Sequence, residues 1–202
     1  VHAKQTHKDK IRIVTSEDKG KGFNRERDYD DIDALITNES GLTLTILTAD
    51  CVPVFLVDPI KRVIGLVHSG WRGTVQRIAA KTVRCMQETY DSKTSDMIAV
   101  IGPCICWDCY EVGEDVAAKF RNEFGDKVFQ KISHSEDSRY ASAKPHIDLA
   151  EAIVQSLLET GLKKSSIIQS RCCTSCNSDL LFSHRVTQGK RGTLASFLAL
   201  KG

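Results

Sequence analysis

Cys51 and His68 are the residues of this chain whose types and spacing most directly allow chemistry. Between them run two apolar, β-branched segments, Val52 to Val57 and Arg62 to Val67, separated by Asp58-Pro59-Ile60-Lys61. Proline at the second of those four positions marks a type I turn, so the segments read as an antiparallel hairpin. If Asp58 faces Lys61, the same register sets Cys51 opposite His68. Opposed Cβ atoms in such a ladder lie about 4.5–5.5 Å apart. At that distance a thiol and an imidazole can share one metal ion, or act as nucleophile and base. The plainer alternative is a buried Cys51 beside a hydrogen-bonded His68, and a bulge in the ladder would shift the register.

A metal site needs a third donor, and His7 in the KQTHKDK segment is the best-placed spare histidine, although spacing alone does not bring it there. Two imidazoles and one thiolate leave a fourth position open, the pattern of a catalytic zinc centre, and the set also suits copper. Asp50 adjoins Cys51 and, as its strand neighbour, points to the other face. There it can orient a ligand or cap the turn, and capping is the preferred reading. Ser69-Gly70-Trp71-Arg72-Gly73 opens a helix, so the backbone at Gly73 and the Arg72 guanidinium can receive phosphate or a carboxylate. Its plainer reading is a tight turn with a solvated arginine.

Ser183, His184 and Arg185 follow Leu181-Phe182 at an expected strand end, on a cleft or on the surface. His134 lies in a polar stretch and is expected to be solvated; His146, ahead of a helix beginning at Asp148, is expected to pack or cap. Cys106 to Cys109 and Cys173 to Cys176 each form a CxxC pair, with Cys104 and Cys172 close by. Two such pairs can hold one zinc ion. Their separation far exceeds that of common zinc ribbons, and the preferred reading is packed free thiols. No HxE precedes a PCxxC, so the zinc deaminase signature is missing.

The elements that must position these groups intermix. Leu42 to Thr48 reads as a strand leading into Asp50, Met97 to Ile101 as a buried strand, and Ile167 to Cys173 and Leu194 to Leu200 as late strands. From Thr74 to Tyr90 apolar residues recur at helical spacing. Glu114 to Phe124 is a helix closed by Gly125, and Asp148 caps a helix stopped at Gly161. Ser16 to Asp31 is charged, with little to bury, and is expected to be a mobile loop. The expected class is α+β, a mixed β-sheet with packed helices, as a single domain over residues 1–202. Net charge is +2, which excludes a strongly basic nucleic-acid binder, and no apolar run has the length of a membrane span. Neither an initiator Met nor a signal sequence opens the chain, so an N-terminal segment is expected to be missing. With eight cysteines in a chain too large to need disulfide staples, free thiols in a reducing cytoplasm are expected.

Taken in order, LTADCVPVFLVDP, GLVHSGWRGT, IGPCICWDCYEVG, CCTSCN and LFSHR resemble the YfiH or laccase-domain family, also called multicopper polyphenol oxidase-like proteins. The resemblance runs from about His7 to the C-terminus. It implies metal ligands at His7 in QTHK, Cys51 in TADC and His68 in VHSGWRG. QTHK lacks the family's glycine after the histidine, and Thr193 stands where the family's terminal motif has arginine, with Arg191 near enough to replace it. The activities implied are phosphorolysis of adenosine, inosine and methylthioadenosine, adenosine deamination, copper-dependent phenol oxidation and, for some bacterial members, peptidoglycan precursor editing. A zinc-dependent purine nucleoside enzyme is the preferred expectation, with Cys51, His68 and Asp50 catalytic and Arg72, Gly73 and Arg185 at a nucleoside and phosphate. A metal-free Cys–His hydrolase, a copper polyphenol oxidase and a metal-stabilised interaction module are its rivals.

Overall fold

The computed structural model describes residues 1–129 and 144–202, and His134 lies outside the described residues. A six-stranded sheet runs in the order β1 (Lys10–Ile13), β2 (Ile32–Thr37), β5 (Val63–Ser69), β4 (Val52–Asp58), β6 (Ile98–Ile101), β7 (Ile167–Gln169). Its outer pairs β1–β2 and β6–β7 are parallel and its inner pairs antiparallel. β3 (Thr43–Thr48) and β8 (Leu194–Ala199) form a separate antiparallel ribbon. The α-helices are α1 (Trp71–Val75), α2 (Ile78–Tyr90), α3 (Glu114–Phe124), α4 (Leu149–Leu158) and α5 (His184–Thr187). This is the α+β class with a mixed sheet that the intermixed elements imply.

Strand alternation builds two cores. Along β5, Val63 and Val67 join a cluster with Met86 of α2, Phe120 of α3 and Leu157 of α4, whereas Ile64 and Leu66 join Leu44 and Ile46 of β3. Each such side chain contributes about 1.5–3 kcal/mol on full burial. A one-residue slip would exchange the two faces, so the parity of every strand is strongly specified. By that parity His68 belongs to the ribbon side with Ile64 and Leu66, and Asp33 of β2 to the same side with Leu35.

The β4–β5 hairpin has a different register from the expected one. Pro53, not Cys51, lies opposite His68, and Asp58 pairs with Val63. The turn is longer because the Asp58 carboxylate accepts the Ile60 and Lys61 N–H groups, both at 2.9 Å, and Arg62 adopts a left-handed φ of 54° before the ladder begins. The offset amounts to two residues, so Cys51 keeps its face and becomes a diagonal neighbour of His68, still within reach of it.

The helix expected from Thr74 to Tyr90 starts earlier, at Trp71, and breaks between α1 and α2, where Arg77 takes a left-handed φ of 60°. Its guanidinium pairs with Glu123 and Glu159 and lies over the Phe124 ring at 5.0 Å, so tertiary partners hold a conformation that propensity disfavours. Gly125 closes α3 and Asp148 caps α4 by accepting the Glu151 N–H at 2.9 Å, as their positions imply. β7 is shorter than expected, and the strand end expected at Ser183 is instead the start of α5, where Ser183 accepts the Val186 N–H at 3.3 Å. Residues 16–31, expected as a mobile loop, are pinned by charge: Asp18 is 2% exposed and accepts from Arg12 at 2.6 Å and Lys21 at 2.8 Å.

Candidate metal centre

The site is built around Asp33, a carboxylate inside the apolar strand β2 with no exposed surface. A charge buried so deeply must be hydrogen-bonded. Its Oδ2 accepts the N–H groups of Thr6 (3.1 Å) and Lys8 (2.9 Å), and its Oδ1 accepts the N–H of His7 (3.0 Å). Three consecutive amides therefore wrap one carboxylate, a bend made possible by the left-handed φ of 62° at His7. Lys8 has no positive φ, so the position after this histidine needs no glycine.

The fourth partner of Asp33 is His68, whose Nδ1 lies 2.7 Å from Oδ1. The β2–β5 register that pairs Ala34 with Val67 places these two residues opposite each other one step further along. With Nδ1 engaged by a carboxylate, Nε2 remains to bind a metal or a proton, the usual arrangement behind a metal-bound histidine. His68 is 2% exposed, and the His7 ring meets it edge-on at 4.8 Å. The donor atoms of His7, Cys51 and His68 lie within 4.8 Å of one another. Beneath them runs Gly70, where an added Cβ would fall 2.7 Å from His7 Cδ2 and 3.1 Å from Cys51 Sγ. Its φ of −76° suits any residue, so glycine here provides space, not backbone freedom.

Electrostatics ties the trio together. Burial opposes a charge on Cys51, yet hydrogen bonds and charge from His68 and His7 lower its thiol to about 6. Burial also opposes a charge on His68, but Asp33 and Cys51 raise it to about 9. Asp33 likewise overcomes its burial, held below the ordinary carboxylate value by His68 and the Lys8 and Thr6 amides. Both shifts run toward a thiolate beside an imidazolium when no metal is bound. The donor set, the carboxylate behind one imidazole and the cradle under the other two donors all fit a zinc or copper ion.

A cavity of about 260 Å³ opens above His7 and Cys51, with Trp71, Ile105 and Tyr110 as flat or apolar walls and Arg72, Arg185 and Arg191 among its lining. Arg72 stacks on Trp71 at 4.3 Å, and Arg185 lies over Tyr110 at 5.3 Å while donating to the Glu111 carbonyl at 2.8 Å. Asp50 also lines this cavity, but its carboxylate is engaged elsewhere: Oδ1 accepts from Thr174 Oγ1 and Oδ2 from the Arg185 N–H, both at 2.7 Å. Its own carbonyl accepts the Ile105 N–H at 3.1 Å, so one residue joins three segments of the wall. Gly73 lies outside the cavity lining, buried under Lys8, whose carbonyl oxygen would be 3.1 Å from an added Cβ. His146 meets the Trp107 carbonyl through Nδ1 at 3.0 Å.

Asp33 is the residue that motif reading misses. An aspartate flanked by isoleucine and alanine within IDALIT is its only local signal. The two CxxC pairs also come together, with the sulfurs of Cys106, Cys109, Cys173 and Cys176 within 4.8 Å of one another; Cys104 and Cys172 stay outside that group, and all eight cysteines are free.

Residues 1–201 match the family described as multi-copper polyphenol oxidoreductase laccase. The chain belongs to that family. This laccase-domain chain is 36% identical, over all of its own length and 70% of the other's, to the purine nucleoside phosphorylase YlmD of Bacillus subtilis. It is 34% identical to adenosine deaminase RL5 of an unknown prokaryotic organism, covering 92% of this chain and 69% of that one. The crystal structure of the Bacillus licheniformis hypothetical protein YfiH superposes with a TM-score of 0.90 at 38% identity, covering all of this chain and 74% of the other.

Proposed function

We propose that this laccase-domain chain is a zinc-dependent purine nucleoside enzyme that cleaves adenosine, inosine and methylthioadenosine with phosphate and deaminates adenosine. The observation that carries the reading is the meeting of His7, Cys51 and the buried His68 beside a cavity that His7 and Cys51 line together with three guanidinium groups. The names of the phosphorylase and deaminase relatives point to the same substrates. Zinc held by His7, Cys51 and His68 would supply a Lewis acid beside the cavity.

The chain's own groups divide the remaining work. Asp33 fixes the tautomer and direction of His68. Trp71, Ile105 and Tyr110 offer surfaces on which a purine ring can lie, and Arg72, Arg185 and Arg191 supply positive charge for phosphate. Asp50 acts as a positioning residue, setting the backbone of Arg185 against the cavity, and Gly73 lets the His7 segment approach α1. No helix among the described residues is long and apolar enough to cross a membrane, and eight free thiols suit a reducing cytoplasm. Titrating zinc content against adenosine and inosine turnover tests the proposal, with Cys51→Ala and His68→Ala as controls. Full turnover in both variants overturns it.

One observation favours a second reading. Asp33, His68 and Cys51 lie in the order orienter, base and nucleophile, with the thiol held at about 6, as in a cysteine hydrolase. That reading gives His7 no task, although three amides are spent on placing it. Thiol alkylation that abolishes activity in a protein indifferent to chelators would establish it. Copper in the same trio would be a single ion, fewer than reduction of dioxygen to water normally uses, and the metal found after expression without added copper discriminates that case.

A further inference from the structure

We propose that Cys106, Cys109, Cys173 and Cys176 form a second, closed metal site that holds one zinc ion and braces the wall of the nucleoside cavity. The two CxxC pairs stand 67 residues apart in sequence, yet Cys106 Sγ lies 3.9 Å and Cys109 Sγ 3.5 Å from Cys176 Sγ. All four sulfurs fall within 4.8 Å of one another. Zinc–thiolate bonds of about 2.3 Å in a tetrahedron put neighbouring sulfurs about 3.8 Å apart. The two separations to Cys176 already match those of a four-sulfur cage, and the other sulfurs lie close enough to join it.

Two further features separate this group from packed core thiols. A cysteine used as a small apolar residue is normally buried. Here only Cys173 is buried; Cys106 and Cys109 are partly exposed and Cys176 is exposed. Moreover, the backbone N–H groups of Cys106 and Cys176 both point at Cys173 Sγ, each at 3.3 Å. Amides directed at one sulfur stabilise a thiolate, the form that binds metal, and are the outer partners expected around it. The first pair closes around a short turn in which the Cys109 N–H returns to the Cys106 carbonyl at 3.2 Å, a compact knuckle that presents both sulfurs to one point.

Binding requires no redox partner. Four S–H bonds give way to four S–metal bonds, and the protons pass to solvent. With four protein ligands and no open position, the site is structural. Its mechanical target is visible: Thr174, inside the second pair, donates to Asp50, and Tyr110, next to the first pair, lines the cavity. The cage would therefore lock the two segments that Asp50 joins to the catalytic side.

The decisive sample is Cys51→Ala/His68→Ala, which dismantles the His7 site and leaves the four cysteines intact. Purified under reducing conditions, it should retain one zinc per chain against two in the wild type. Cobalt exchanged into it should give the intense thiolate-to-cobalt charge-transfer band of a four-sulfur tetrahedral site. Cys109→Ser/Cys176→Ser should lose one zinc and melt at lower temperature. Absence of metal and of the cobalt band from Cys51→Ala/His68→Ala overturns the proposal, whereas a wild-type stoichiometry of one with the band retained in that variant overturns the zinc assignment at the His7 site instead. If Cys109→Ser/Cys176→Ser fails to fold, the metal content and cobalt spectrum of Cys51→Ala/His68→Ala still decide.

Discussion

Asp33→Asn is the most incisive single change at the metal centre, because an amide is nearly isosteric with the carboxylate and cannot accept four hydrogen bonds. If its oxygen takes the Oδ1 position, the His7 and His68 bonds survive and the amide nitrogen confronts the Thr6 and Lys8 N–H groups. If it is turned around, the nitrogen confronts His7 N–H and forces the His68 proton from Nδ1 to Nε2, removing the lone pair a metal needs. The first orientation leaves two donors without an acceptor and the second leaves one and imposes the wrong His68 tautomer, at about 1–3 kcal/mol for each orphaned donor when buried. The amides are partly solvated, so a total near the lower end, about 2 kcal/mol, is expected. For a chain of this size that corresponds to a fall in Tm of about 4–8 °C. Loss of such an outer partner costs about 10–100-fold in metal affinity. Thermal melting and chelator competition at the His7–Cys51–His68 site read the two effects separately. Wild-type affinity combined with an unchanged Tm would refute the assignment of Asp33 as the organising residue.

Gly70→Ala should leave Tm nearly unchanged, since its φ suits alanine, but weaken metal binding by about the same 10–100-fold, because the His7 ring must withdraw from a Cβ only 2.7 Å away; chelator competition checks it. Arg72→Ala should raise the KM for phosphate in phosphorolysis about 10–100-fold, the equivalent of one hydrogen bond to a charged group, and spare adenosine deamination, which uses no phosphate; equal losses in both reactions would count against a phosphate role. In chelated protein, iodoacetamide should alkylate Cys51 with a midpoint near pH 6, moving up toward the ordinary 9.0 in His68→Ala. The stabilising contribution of Cys51 is full above 9.0 and lost as pH falls through about 6, and that of His68 is full below 6.5 and lost as pH rises through about 9, so the apo ion pair persists between about 6 and 9.

The approach of Cys51 to His68 was legible because cysteine and histidine at hairpin ends carry a geometric meaning that survives an error of register, whereas His7 was joined to them only through the family resemblance. The turn differs from the type I expectation because Asp58 binds two amides and Arg62 turns left-handed, a combination without a glycine to announce it. An error of two residues preserves the face, which is why the expected encounter of Cys51 with His68 stands while their direct opposition does not. Asp33 escaped notice because the groups that make its charge tolerable lie 25 to 35 residues away and include backbone amides, which no side-chain pattern reveals. The same holds at Arg77, where a break in an otherwise regular helical pattern depends on Glu123 and Glu159. Convergence of the CxxC pairs was obscured by their long separation, since spacing rules learned from compact zinc ribbons say nothing about distant halves.

The Asp50 junction has a consequence for how the molecule comes into being on the ribosome. Every donor of the His7–Cys51–His68 trio, and Asp33 behind it, has been made once His68 is in the chain. The partners of Asp50 lie 124 and 135 residues further on, at Thr174 and Arg185. Closing loops that long is entropically late and contributes only after nearly all of the polypeptide has emerged. A nascent chain can therefore bring His7, Cys51 and His68 together well before the cavity wall closes beside them, and truncations near the C-terminus should leave the trio formed and the cavity open.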